Sequence, residues 1–73
     1  MEHPRISRDP AIMVGKPCIK GTRITVEHVL RALSQGVTVD GVLEEYPHLS
    51  REDVLAAVAY AADYMRREGL IAA

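Results

Sequence analysis

The sequence predicts a mainly α fold, a three-helix unit preceded by a short N-terminal β arm, and three observations predict it. Proline and glycine interrupt the first 24 residues every few positions, at Pro4, Pro10, Gly15, Pro17 and Gly21, a punctuation that no helix survives. From Thr25 onward apolar side chains recur at three- and four-residue steps, the spacing of one face of a helix. Those runs are bracketed by residues that start helices (Thr25, Thr38, Ser50) and residues that stop them (Gly36, Pro47).

Within the arm, β-prone pieces fall at residues 5–8, 12–14, 18–20 and 23–25. Two or three such strands are marginal alone, so the arm is expected to pair with something, most simply a second copy of the chain. The first helix follows Thr25 and carries Val26, Val29, Leu30 and Leu33 at i, i+3, i+4 and i+7, with Gly36 just past its end. Thr38 caps a short second helix bearing Val39, Val42 and Leu43, and Pro47 stops it. Ser50 and Asp53 stand in the relation of a capping box, with Leu49 and Val54 at the staple positions, and open a third helix that runs to about Gly69. Arg66 and Arg67 in its last turn suit the negative end of the helix dipole. The organisation is then an arm over 1–24 and a trihelical helix-turn-helix core over 25–69, one domain together, with a tail over 70–73.

A chain of 73 residues without Phe or Trp buries only a thin core and is expected to lean on a partner. Its net charge of −1 hides an asymmetry. Residues 1–31 hold six basic side chains against three acids, and residues 32–73 hold three against seven. The single cysteine, Cys18, permits no internal disulfide and fits a reducing compartment. No apolar run is long enough to span a bilayer, and the opening residues lack an apolar signal core. A cytoplasmic location is expected.

On the third helix, Val54, Leu55, Val58, Ala61, Ala62 and Met65 share one face, the expected core stripe. Ala57, Tyr60 and Tyr64 widen it by a second sector, more apolar girth than two short helices need. Either the arm folds back over the extra sector, or that sector meets another polypeptide. Ala57, Tyr60, Tyr64 and Met65 are the candidate partner or dimer interface, with Glu44, Glu45 and Asp63 supporting it. The opposite face offers Glu52, Ala56, Ala59 and Asp63, whereas a base-reading helix needs Arg, Lys, Asn or Gln there. For a nucleic-acid contact the candidates are Lys16, Lys20 and Arg23 in the arm and Arg51 at the start of the third helix, a set suited to phosphates.

Other chemistry finds little footing. The stretch Gly15 to Thr22 lacks the Gly-Lys-Ser/Thr order of a phosphate loop. His3, His28, His48 and Cys18 lack zinc-ligand spacing, so no metal and no cofactor is expected. Cys18 has no evident base beside it, and no pair of acids sits in an apolar pattern. The chain is expected not to be an enzyme.

Two further segments carry a resemblance. The segment Ile6-Ser7-Arg8-Asp9-Pro10, followed by Gly15-Lys16-Pro17-Cys18-Ile19-Lys20-Gly21-Thr22-Arg23-Ile24, resembles the opening of a widespread prokaryotic family of short proteins, the domain of unknown function 433. Gly36-Val37-Thr38, Tyr46-Pro47-His48-Leu49 and Glu52-Asp53-Val54-Leu55-Ala56-Ala57 extend the resemblance to about residues 5–68. Thr25 stands where many relatives have proline. The resemblance implies a homeodomain-like helix-turn-helix with a β arm, often dimeric, and an antitoxin of the VapB45 type linked to a PIN-like toxin ribonuclease. It implies no catalytic residue. The expected function is therefore an antitoxin-like module that forms a homodimer and neutralises a toxin protein, plausible as a basic nuclease given the acidic helical half. The alternative is a DNA-binding regulator.

Overall fold

A computed structural model of the chain describes residues 3–67. The expected end of the third helix at Gly69 and the tail over 70–73 lie outside the described residues. Two strands, β1 (Ile6–Ser7) and β2 (Cys18–Ile19), pair antiparallel with Ile6 opposite Ile19 and Ser7 opposite Cys18. Three helices follow: α1 (Val26–Ser34), α2 (Val39–Glu45) and α3 (Arg51–Arg67).

Each helix begins where a side chain takes over an unpaired backbone N–H. The Thr25 hydroxyl accepts from the His28 N–H at 2.9 Å, and the Thr38 hydroxyl from the Gly41 N–H at 3.0 Å. At α3 the capping box is reciprocal. The Asp53 N–H donates to the Ser50 hydroxyl at 3.2 Å, and the Ser50 N–H to the Asp53 carboxylate at 3.0 Å. The end of α1 is a Schellman turn: Gly36 adopts φ +93°, its N–H bonds the Leu33 carbonyl, and the Val37 N–H bonds that of Ala32. The staple residues Leu49 and Val54 are both buried.

One piece of the arm departs from expectation. Residues 12–14 form no strand, although Ile12 itself keeps extended dihedrals. Met13–Gly15 forms a 3-10 turn in which Met13, Val14 and Gly15 all have positive φ. The strand preference of Ile12 and Val14 depends on context, and here Asp9 overrides it. Its carboxylate accepts from the Ala11 N–H and its carbonyl from the Ile12 N–H, and so turns the chain.

The arm belongs to the core. Cys18 and Ile19 are 1% and 2% exposed and sit with Val26, Val29, Val42, Leu49, Val54 and Ala57. Ile6 and Ile24 pack against that cluster. The strands thus find each other and the chain's own helices. Two polar ties reach α3: Arg5 donates to Asp53 at 2.9 Å, and the His3 ring is 2.9 Å from Asp63.

Asp53 therefore joins a helix cap to the arm. Its carboxyl is held below the usual aspartate range, first by the Ser50 N–H, with the Arg5 guanidinium and Ser50 hydroxyl adding to this against partial burial. A carboxyl depressed on folding contributes stability in full above its unfolded value, and that contribution is lost as pH falls through its folded value. The melting temperature is expected to drop below about pH 4. Asp53→Asn is expected to lower it at neutral pH and flatten that acid limb. Thermal melts by circular dichroism between pH 2 and 7 check this, and parallel curves for the two proteins would be the contrary result.

Candidate partner-binding surface

Two apolar faces diverge along α3. The buried one carries Val54 and Ala57, both 0% exposed, with Tyr60 and Ala61 half-buried. The outer one carries Leu55 at 53%, Val58 at 40% and Met65 at 42%, together with exposed Ala59 and Ala62. The expected core stripe is thus rotated: of its six members only Val54 is buried and Ala61 half-buried. The reason lies in residue size. Ala57 and Ala61 on the inner face let α3 come close to its neighbours around Val54, and Leu55 and Val58 are left outside.

This rotation redistributes the candidate interface residues. Ala57 lies wholly inside the chain's own core and offers no surface to a partner, a correction to its place in that group. Tyr60 is half covered by the arm: the His3 ring meets it edge-on at 5.3 Å, and Tyr64 stacks on it at 6.3 Å. Tyr64 and Met65 remain exposed. Asp63 is engaged by His3, while Glu44 and Glu45 on α2 are exposed.

Tyr64 and Met65 line an open trough of about 570 Å³ between α1 and the C-terminal half of α3. Leu30 and Ala61 complete its floor, and Arg8, Lys16 and Arg31 stand around it. Its rim is basic, although most of the surrounding helical half is acidic. Sequence reasoning missed Leu30, Arg8 and Arg31 as parts of one surface, because nothing in the sequence places the arm loop beside α1. It also missed the outer face of α3, for which a signal existed: residues 55, 58, 62 and 65 follow the 3-4-3 spacing of a helix-pairing seam.

Among the described residues, two of the candidate phosphate-binding residues are held in ion pairs and two are not. Lys16 leans on Glu27 of α1 at 3.6 Å, and Arg51 on Asp40 of α2 at 2.6 Å. Lys20 and Arg23 are exposed and make no ion pair among the described residues. Cys18 is buried, and burial pushes its thiol above the ordinary cysteine range. The Tyr46 hydroxyl and His28 Nε2 share a hydrogen bond at 2.9 Å. Among the described residues no group of three His, Cys, Asp or Glu is placed to hold a metal, and no helix is long and apolar enough to cross a membrane.

Comparison with known proteins places this geometry in context. The model of a family described as protein of unknown function (DUF433) matches residues 6–61. The uncharacterized protein y4eO of Sinorhizobium fredii is 34% identical over 56 residues, which cover 77% of this chain and 25% of that protein. The matched region thus spans about a quarter of that relative's length. No solved structure matches.

Proposed function

The chain belongs to the DUF433 family of proteins of unknown function, and on that premise we propose that it is an antitoxin-like binding module, cytoplasmic and without catalytic activity, that forms a homodimer and neutralises a PIN-like toxin ribonuclease. The observation that carries this reading is the outer face of α3. Leu55, Val58, Ala62 and Met65 make an apolar row at 3-4-3 spacing on the solvent side. A row of this kind meets another helix well, and a base edge in a DNA groove poorly. Tyr64 adds an amphipathic ring of the type enriched at protein interfaces.

Co-expression with the product of the adjacent reading frame tests the pairing. A complex of fixed stoichiometry that relieves growth inhibition is expected. Separate migration of the two proteins with no relief of growth would dispose of the antitoxin reading. Light scattering on the chain alone is expected to give twice the 8.0 kDa monomer mass.

A second reading, DNA binding, draws on Lys20 and Arg23, exposed without ion-pair partners among the described residues. A gel shift with the upstream region should then weaken steeply with salt. Both readings are compatible in one protein.

A further inference from the structure

The trough between α1 and α3 has a chemistry that specifies more than "apolar". Its floor is Leu30, Ala61, Tyr64 and Met65. Among the described residues three cations stand on its rim, Arg8 and Lys16 from the arm and Arg31 from α1, with one acid, Glu27. Glu27 is already shared, by Lys16 at 3.6 Å and Arg31 at 4.0 Å. Arg8 makes no ion pair among the described residues. The described rim is thus net positive on a chain whose overall charge is −1.

A channel walled by two helices and open along its length has the shape that a third helix fills. Small-molecule sites enclose most of their ligand, and this one does not. We infer that the trough receives an amphipathic helix of a partner protein, with its apolar stripe against Tyr64, Ala61 and Leu30 and with acidic residues flanking the stripe to meet Arg8, Lys16 and Arg31. The inference rests on the protein-binding reading above and adds the chemistry of the partner's segment.

A second copy of the chain fits the trough poorly. Its acidic helix, α2, turns Val42 into its own core and presents Asp40, Glu44 and Glu45 without apolar anchors. Its free apolar row on α3 carries, among the described residues, no acidic flank at its C-terminal end, where Arg66 and Arg67 stand, and like charge there opposes it to the basic rim.

Two labelled 18-residue peptides test this, helical by design and with the same leucine stripe, one flanked by glutamates and one by lysines. Fluorescence anisotropy with the full chain is expected to show the glutamate peptide binding at least about tenfold more tightly than the lysine peptide. The double variant Arg8→Glu with Arg31→Glu is expected to reverse that order. Equal binding of the two peptides, an unchanged order in the variant, or no binding of either up to about 1 mM overturns the inference. Light scattering in the presence of peptide separates the remaining cases. A dimer that keeps its mass while binding the glutamate peptide supports the inference. A dimer split by the peptide assigns the trough to a second copy and overturns it. A monomer that still prefers the glutamate peptide upholds the inference while removing the proposed dimer.

Discussion

Val54→Asp is expected to leave no cooperatively folded protein. Val54 is 0% exposed, at the staple position of α3, and packs among Val26, Val29, Val42 and Leu49. The buried cluster around it is wholly apolar, so the group would be buried in hydrocarbon or would force the core open. A 73-residue domain has a total stability of roughly 4–11 kcal/mol. An unpaired buried carboxyl costs about 4 kcal/mol or more, a large part or all of that. The milder Val54→Ala removes two methyl groups and is expected to cost about 1.5–3 kcal/mol. At about 4–8 °C per kcal/mol for a domain of this size, its melting temperature should fall by roughly 6–24 °C. Circular dichroism melts of both variants check the pair. A Val54→Asp protein melting cooperatively near the parent would mean that α3 is rotated from the orientation described.

The neighbouring residue should behave in the opposite way. Leu55→Glu combined with Val58→Glu is expected to keep a cooperative melt, lowered only by the dimer's own contribution, because neither side chain is buried within its own chain. Its effect falls on association. Two carboxylates in the centre of an apolar helix seam meet their symmetry mates across a two-fold interface, and repulsion with lost burial removes the dimer. Light scattering is expected to show a folded monomer. A variant that remains dimeric at the parent's affinity would show that the outer face of α3 is not the seam. Two adjacent residues of similar hydrophobicity thus separate folding from association, since the helix turns about 100° between them.

That contrast also marks how far the sequence was legible. Helix starts were, because a cap is a local event: Thr25, Thr38 and the pair Ser50–Asp53 each bond a backbone N–H within three residues. The Gly36 turn was legible for the same reason. The inward side of α3 was not. Apolar residues occupy more than half of its circumference, so periodicity has no single maximum, and the choice falls to how closely another element approaches. Ala57 and Ala61 decided it, and bulk misled. Residues 12–14 were misread because their β propensity depends on context and yields to the hydrogen bonds that Asp9 offers nearby. The trough was beyond reach, being made by the arm loop, α1 and α3 together. The ties Arg5–Asp53 and His3–Asp63 span 48 and 60 positions and leave no local trace.

Those long ties carry a consequence for how the protein dies. The arm supplies Ile19 and Cys18 to the interior and is fastened to the far end of the fold. A protease that nicks the chain near Val14, 88% exposed, severs β1 and the ties of His3 and Arg5 from the helices while leaving Cys18 and Ile19 attached, so the cut chain is expected to open more readily than the intact one. The lifetime of the module against degradation is therefore set at its front edge, not along its helices.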